Sequence, residues 1–380
     1  MRVQEGRAKS RTTNVNAFQG NPGSDTSWSL SRRDPAKIGM VPMVNPMTHR
    51  SDLAAALASP DDPLSLVDPE LRPVARAFLR PGGLPPLSDE TLAQLRRGGP
   101  VNIKPLLPEI PVSERRIPGP EGAPEVTLYL INTGRGAARP AILHMHGGGY
   151  IAGTAKWLCR DLQELAAELD CAIVSVDYRL APETRYSGSV EDNYAGLRWA
   201  YAHAADLGID PRRIAVMGES AGGGHAALLA QAARDRGEVP VLFQALLYPM
   251  LDDRTGSTRV VPPHIGQLVW TAEANRFGWR CFLGTDPGGA DVPAAAVAAR
   301  ATKLEGLPPA FIGVGSIELF VDEGIDYARR LINAGVATEL LVVPGAFHGF
   351  DGFARDTGVA RRFTVAKVDA LRKAFRDASA

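Results

Sequence analysis

Cysteine is scarce in this chain, with three residues among 380. Cys159, Cys171 and Cys281 form no CxxC pair and show no framework spacing, which excludes a disulfide-stapled fold. The opening segment, MRVQEGRAKSRTTNVNAFQG, also lacks the apolar core of a signal peptide. Both absences predict reduced thiols and a cytoplasmic location.

Net charge and long apolar runs are absent too. Forty-two basic residues balance forty-two acidic ones, and no block of Lys and Arg interleaves with aromatic residues. Nucleic acid and anionic membrane surfaces are therefore not expected as partners. No run of about 18 apolar residues occurs, so no membrane-spanning helix is expected. With nucleic acid and membranes not expected, the expected partner is a small molecule.

Metal-ligand patterns are equally sparse. His144 and His146 have the spacing that places two rings on one face of a strand, where they could bind zinc. No third ligand accompanies them in the sequence, so we expect neither a metal nor another cofactor. His146 is instead expected to brace the glycine-rich loop that follows it.

Three regions can be distinguished along the chain. Residues 1–40 are rich in Ser, Arg, Asn and Gly without periodicity, and they predict a flexible leader. Residues 41–110 contain three amphipathic helical patterns separated by proline-rich links: SDLAAALA, PELRPVARAFLR and SDETLAQLRRG. The first and third patterns begin with a serine that could cap a helix. A small helical element should therefore precede the main domain, residues 111–380.

The main domain alternates apolar runs with helical segments. Such runs, spaced by helices, are typical of a mostly parallel sheet that is covered on both faces, which is an α/β fold. The predicted strands are EVTLYLI, PAILHMH, CAIVSVDY, RIAVMG, LFQALLYP, PAFIGVG and TELLVVPG.

The segment VMGESAGGG contains the pattern Gly-x-Ser-x-Gly, with Ser220 at its centre. The glycines let a strand turn sharply into a helix and leave the serine exposed at a strained turn. A serine hydroxyl is a weak nucleophile at neutral pH, and it needs an imidazole base and an acid that orients the imidazole.

Other strand ends supply these groups. His348 lies in GAFHGF, Glu318 and Asp322 lie in GSIELFVDEG, and three glycines, Gly147 to Gly149, follow another strand. The order serine, acid, histidine along the chain is that of an α/β-hydrolase triad, and a glycine-rich turn after an early strand is where that fold has its oxyanion hole.

Five motifs together resemble the hormone-sensitive-lipase family of α/β-hydrolases, the bacterial family IV carboxylesterases: HGGGY, DYRLAPE, GESAGG, YPMLDDR and GAFHGF. The resemblance implies an esterase with Ser220 as nucleophile, His348 as general base and acid, and Glu318 as triad acid. It also implies an oxyanion hole formed by N–H groups, and an N-terminal helical cap over residues 41–110 to which residues 262–284 add helices. The oxyanion residues it implies are Gly148, Gly149 and Ala221.

Two departures from the family pattern concern acids. Glu219 stands where the family commonly has Asp or Thr, and little effect is expected because the backbone makes the turn. Asp322 is a rival to Glu318 as triad acid, since the commonest family acid is Asp. Asp322 falls in the predicted first turn of a helix, where an acid has an ordinary structural use, so Glu318 is the preferred candidate.

The substrate expected from the resemblance is a short- to medium-chain acyl ester. Tyr150, Trp270 and Phe277 are candidates for the substrate pocket. Two other functions stay open: a serine amidase or peptidase on the same fold, and a non-catalytic small-molecule receptor, which the presence of His348 disfavours. Homodimers are frequent in the family, so a homodimer is a further expectation.

Overall fold

The computed structural model describes residues 64–79, 86–98, 104–134, 136 and 138–378. Every described residue belongs to one unit, Leu57–Ala380. The predicted leader, residues 1–40, and the first helical pattern of the predicted cap lie outside the described residues.

Eight strands within the described residues form one sheet in the order β1-β2-β4-β3-β5-β6-β7-β8. Strands β3 to β8 pair in parallel, whereas β1 and β2 pair antiparallel with each other and β2 pairs antiparallel with β4. The strands are β1 (Val112–Ile117), β2 (Val126–Ile131), β3 (Arg139–Met145), β4 (Ala172–Asp177), β5 (Ile209–Glu219), β6 (Phe243–Leu247), β7 (Ala310–Gly315) and β8 (Thr338–Val343).

Helices cover both faces of the sheet. They are α1 (Arg72–Ala75), α2 (Asp89–Arg97), α3 (Ala155–Leu169), α4 (Tyr186–Ala202), α5 (Ala204–Leu207), α6 (Ala221–Arg236), α7 (Ala272–Leu283), α8 (Val321–Asn333), α9 (Phe350–Phe353) and α10 (Gly358–Asp377), with short 3₁₀ turns at Arg76–Leu79, Ala294–Ala296 and Ala298–Arg300. None of these described helices is both long and apolar enough to cross a bilayer.

The sheet divides the interior into two cores. On one face, α4, α6 and α8 pack against alternate strand residues such as Leu143 and Val216. On the other face, α3 and α10 pack against the opposite set, which includes Ile142 and Met217. Strands buried on both faces read as continuous apolar runs, and this made β2 to β7 predictable from the sequence, while the half-buried edge strand β8 was predictable from its apolar run LLVV. The prediction of an α/β fold with a mostly parallel sheet is confirmed.

Strand β1 was not predicted. Its sequence, VSERRI, is charged, and only Ile117 in it is buried. It is the edge strand next to β2, and charged side chains at an edge disfavour pairing with another chain. The apolar pattern that identifies a buried strand is therefore missing from it.

The described parts of the predicted cap pack on both cores. Leu71 and Ala75 lie in the core with α3 and α10, and the Asp68 N–H donates to the Gly345 carbonyl at 3.0 Å. Helix α2 begins after Ser88, which caps it as predicted, and its Leu92 lies in the other core. The division into a leader, a cap and a catalytic domain stays a prediction.

Helix α2 is tied to the main domain by Arg96. Its guanidinium donates to the Ile151 and Ala181 carbonyls at 2.8 and 2.7 Å and forms a two-pronged pair with Glu183. The further cap helix expected over residues 262–284 is helical only from Ala272 to Leu283. Thr271 caps that helix by accepting from the Ala274 N–H.

Candidate active site

The serine at the centre of the Gly-x-Ser-x-Gly pattern lies between β5 and α6. Ser220 has φ 57° and ψ −121°, a conformation that costs on the order of 1–3 kcal/mol for a residue other than glycine. Its N–H donates to the Leu247 carbonyl at 2.9 Å, and its carbonyl accepts from the N–H groups of Gly224 and Met250. These backbone bonds hold the turn in its strained form.

Two glycines make this turn sterically feasible. A Cβ on Gly222 would lie 2.0 Å from the Met145 carbonyl oxygen, and a Cβ on Gly218 would lie 2.2 Å from the Gly222 carbonyl oxygen. Neither backbone can move aside in a packed sheet. The close crossing of β3 and the start of α6 therefore requires glycine at 222, and the tight turn from β5 into α6 requires glycine at 218.

Three predicted residues meet at the carboxyl edge of the sheet. Ser220 follows β5, Glu318 follows β7 and His348 follows β8, so the parallel strands deliver all three to one place. The His348 Nε2 lies 2.9 Å from the Ser220 Oγ, and its Nδ1 lies 2.6 Å from a Glu318 carboxylate oxygen. We call these three residues the elbow trio, after the sharp turn, or elbow, that carries Ser220.

The rival acid lies elsewhere. Asp322 is exposed in the first turn of α8, whereas Glu318 is 1% exposed and also accepts from the Gly315 N–H at 3.0 Å. The structure thus brings Glu318, and not Asp322, to the imidazole. Asp322 is in the position expected of an acid that interacts with a helix N-terminus.

Burial has the largest effect on the pKa of the Glu318 carboxyl. It raises the pKa of the Glu318 carboxyl above its ordinary value, although the hydrogen bond and charge of His348 act against this. The rings of Tyr248 and Phe320 stand edge-on to the imidazole at 5.0 and 5.1 Å. These aromatic walls keep the imidazole in one orientation between the hydroxyl and the carboxylate.

The glycine loop after β3 lies beside Ser220. Gly148 has φ 124° and Gly149 has φ 60°. Among the residues that the structure describes, the N–H groups of Gly148, Gly149 and Ala221 donate to no protein acceptor. Three backbone donors without a partner beside a serine hydroxyl form an arrangement suited to an oxyanion.

His146 braces this loop, as expected from the sequence. Its Nδ1 lies 2.8 Å from the Gly147 carbonyl oxygen, and its ring stacks on Tyr178 at 4.3 Å. Burial lowers the pKa of His146 to about 4. The ring is therefore neutral at pH 7, and its Nδ1–H donates to the carbonyl.

The three candidate pocket residues occupy different places. A Cβ on Gly149 would lie 2.1 Å from the Trp270 ring, so this indole lines the glycine loop. Tyr150 is 1% exposed and lies behind the loop, with its hydroxyl donating to the Met250 carbonyl at 2.8 Å. Phe277 borders a surface cavity of about 330 Å³ among described residues that include no member of the elbow trio. Of the three, Trp270 lies beside the proposed oxyanion loop.

The paired histidines do not act together. Strand β3 ends at Met145, which breaks the alternation that would place His144 and His146 on one face. His144 bonds to Ser175 and Glu219, while His146 bonds to its own loop. Within the described part of the chain, no group of three His, Cys, Asp or Glu residues could hold a metal ion.

The contact of Glu219 with His144 was missed by sequence reasoning. A carboxylate oxygen of Glu219 lies 2.9 Å from His144 Nε2, and His144 Nδ1 lies 2.8 Å from the Ser175 hydroxyl. We call Ser175, His144 and Glu219 the strand trio. The available signal was a polar residue between apolar neighbours in each of two predicted strands: His144 in PAILHMH and Ser175 in CAIVSVDY.

Comparisons with known proteins agree with this fold. A family model described as alpha/beta hydrolase fold matches residues 142–352. Carboxylesterase NlhH of Mycobacterium tuberculosis is 36% identical over 284 residues, covering 71% of this chain and 85% of that protein. Ethyl acetate hydrolase of Pseudomonas putida is 34% identical over 219 residues, covering 56% and 66%. The solved structure of bacterial heroin esterase has 36% identity and a TM-score of 0.73, covering 83% of this chain and 100% of that one.

The family model spans more than half of the chain, and together with the sheet and the turn at Ser220 it defines an α/β-hydrolase. The relatives, which are named esterases, narrow the class from α/β-hydrolases to esterases. The chain belongs to the hormone-sensitive-lipase family, the bacterial family IV esterases, and it is a carboxylesterase.

Proposed function

We propose that this carboxylesterase hydrolyses short- to medium-chain acyl esters through an acyl-enzyme formed on Ser220. One observation carries the proposal. The hydroxyl of Ser220, the imidazole of His348 and the carboxylate of Glu318 form a continuous hydrogen-bonded relay, with contacts of 2.9 and 2.6 Å.

In the acylation step the Ser220 Oγ attacks the ester carbonyl carbon while His348 Nε2 takes its proton. Glu318 accepts the Nδ1–H bond, which fixes the tautomer that leaves Nε2 free to accept, and it stabilises the imidazolium that forms. The oxyanion of the tetrahedral intermediate is bound by the N–H groups of Gly148, Gly149 and Ala221.

The intermediate collapses when the bond between the carbonyl carbon and the alkoxy oxygen breaks. His348 gives its proton to that oxygen, the alcohol leaves, and the acyl group stays on Ser220. A water molecule then attacks the acyl carbon with the same imidazole as base. The carboxylic acid leaves, and the serine regains its proton from His348.

A small acyl group is favoured by the indole beside the loop. Trp270 lies against Gly149, where it narrows the space next to the oxyanion donors. The name of the Pseudomonas relative, ethyl acetate hydrolase, points to a two-carbon acyl group for that enzyme. We extend this to the present chain, with the predicted cap closing the far end of the acyl site.

The test is a series of p-nitrophenyl esters with increasing acyl length. Each added CH₂ should contribute about 0.8 kcal/mol of binding until the site is filled, and we expect an optimum below about eight carbons. A steady rise in kcat/KM through long acyl chains, or strong preference for long-chain triglycerides, would contradict the proposal.

A matched amide distinguishes the amidase alternative. An esterase should cleave the ester far faster than its amide, because resonance with nitrogen makes the amide carbonyl less electrophilic and the nitrogen must be protonated before it leaves. Equal rates would favour the amidase or peptidase. Absence of turnover on both substrates, with the fold intact, would favour the receptor.

The proposal includes a cytoplasmic enzyme that forms a homodimer. Cys159, Cys171 and Cys281 are all free and buried, which supports a protein that does not depend on disulfides. Burial raises the pKa of the Cys159 and Cys171 thiols to about 11 and about 12, so both remain protonated at neutral pH.

A further inference from the structure

The strand trio crosses three adjacent strands at the edge where the active site lies. Ser175 of β4 and His144 of β3 are direct partners in the parallel register. His144 is paired with Met217 of β5, and Glu219 lies two residues further along the same face of that strand. The hydrogen bonds of the trio thus run across the sheet directly below the turn at Ser220.

Access rules out a reactive role for this trio. Ser175 and His144 are each 0% exposed, and no substrate can reach them. The Glu219 side chain is 22% exposed. An ionised carboxylate can only accept, so His144 donates to it through Nε2. The trio is therefore a fixed brace within the sheet.

Two members of the brace, Glu219 and His144, lie on segments that lead into the proposed active site. Glu219 immediately precedes Ser220, while the strand that carries His144 continues through His146 and Gly147 into the oxyanion glycines. The two backbones also touch, since a Cβ on Gly147 would lie 3.0 Å from the Glu219 carbonyl oxygen. A shift of the Glu219 side chain would therefore alter the spacing between nucleophile and oxyanion donors.

We propose that Glu219, held by His144, is a positioning residue that sets the distance between the Ser220 hydroxyl and the oxyanion glycines. The inference rests on the proposed function of those groups. It reverses the expectation that the residue before the nucleophile has little effect, because the side chain and not only the backbone fixes the turn.

The charges around Glu219 favour this role. His144 faces it from β3 and Lys367 from α10, with the Tyr248 ring nearby after β6. Burial acts to raise the pKa of the Glu219 carboxyl, but His144 and Lys367 outweigh it and hold the pKa below its ordinary value. The side chain is thus an ionised acceptor at the pH of catalysis.

The first test replaces Glu219 and measures kcat and KM with p-nitrophenyl acetate. Glu219→Ala should lower kcat on the order of 10²-fold, the effect of misplacing reacting groups by about 1 Å. KM should stay unchanged, because a positioning residue acts on the transition state. Glu219→Gln should restore most of kcat, since its amide oxygen can accept the same bond from His144.

The second test asks whether the two side chains act as one unit. His144→Leu removes the donor at similar volume, and its loss of kcat should not add to that of Glu219→Ala in the double variant. Additive losses would contradict the proposal. Rates are taken per active site, counted by phosphonate labelling, so that incomplete folding does not lower the apparent kcat.

Glu191→Ala is the matched control. Glu191 pairs with Arg236 on the surface, and its loss should leave kcat as in the wild type. If Glu219→Ala matches this control in kcat and differs only in stability, the positioning role is wrong. Ser220→Ala separates the two proposals, because turnover that survives in this variant contradicts the proposed function itself.

Discussion

The elbow trio and the strand trio consist of the same three residue types, yet they differ in which imidazole nitrogen faces each partner and in their position relative to the strands. In the elbow trio the carboxylate faces Nδ1 of the imidazole and the serine faces Nε2. In the strand trio the two nitrogens exchange partners. The members of the elbow trio stand in loops beyond strand ends, whereas the serine and histidine of the strand trio lie within strands. Residue types alone therefore do not define an active site.

The two carboxylates also differ in electrostatics. Burial raises the pKa of Glu318, while His144 and Lys367 bring the pKa of Glu219 below its ordinary value. Glu318 thus sits where its charge is costly, and Glu219 sits where its charge is stabilising. This difference is expected when one carboxylate serves catalysis at a cost in stability and the other holds the fold in place.

The largest contrast should come from the two serines. Ser220→Ala should remove nearly all turnover, on the order of 10⁶-fold as for the nucleophile of a serine protease. Ser175→Ala should leave an active enzyme that is about 1–3 kcal/mol less stable, because a buried ring nitrogen of His144 loses its partner. The measurements are kcat and the free energy of unfolding.

A serine-directed phosphonate gives an independent check of this contrast. It should label Ser220 in the wild type and in Ser175→Ala, and it should label nothing in Ser220→Ala. Labelling of Ser175 would show that access does not separate the two trios.

The acids give the next largest effect. Glu318→Gln should lower kcat by roughly 10⁴, because an amide group facing Nδ1 favours the wrong tautomer. Asp322→Asn is the control of similar chemistry, and it should change stability by less than about 1 kcal/mol with kcat nearly intact. A loss of kcat in Asp322→Asn, with Glu318→Gln active, would transfer the role to Asp322.

The smallest effect expected is the opposite response of the two carboxylates to pH. With a lowered pKa, Glu219 stabilises the fold above its ordinary pKa near 4.5, and this contribution is lost as the pH falls through the folded-state value. With a raised pKa, Glu318 favours the fold only at low pH, and its ionisation costs stability as the pH rises from 4.5 through the folded-state value.

Glutamine variants measure the contribution of each carboxylate to the free energy of unfolding. At pH 7, Glu219→Gln should be less stable than the wild type, because it loses a carboxylate whose charge the fold stabilises, whereas Glu318→Gln should be as stable or more stable. Both differences should shrink toward acid. Parallel changes in the two variants, measured by denaturant unfolding at several pH values, would remove the electrostatic contrast.

Several features could be predicted because they depend on local chemistry. The apolar runs predicted seven of the eight strands of the described sheet, and the serine before α2 predicted its cap. The glycines around Ser220 predicted a tight turn, because only glycine tolerates backbone contacts near 2 Å from a Cβ position. Strand β1 escaped prediction because its sequence, VSERRI, is charged, whereas the opposite edge strand, β8, keeps an apolar run.

Other features depended on contacts between distant segments. The sequence left Glu318 and Asp322 as rivals, and the structure separates them because Glu318 lies in the buried loop before α8 and reaches His348, whereas Asp322 is exposed in the first turn of that helix. The place of Tyr150 behind its loop depends on stacking with Phe282 at 3.9 Å, from a helix far along the chain. The partner of Glu219 could not be predicted, since His144 lies 75 residues away in sequence.

The sequence by itself determined which residue types stand at the strand ends, since periodicity and glycine patterns are local properties of the chain. Only the tertiary structure decided which serine, histidine and glutamate meet, and which of them solvent can reach. The physical reason is that strand order and register set these distances. The neighbouring strands β4, β3 and β5 create the strand trio, and the parallel run from β5 to β8 brings the ends of β5, β7 and β8 to one edge, which creates the elbow trio.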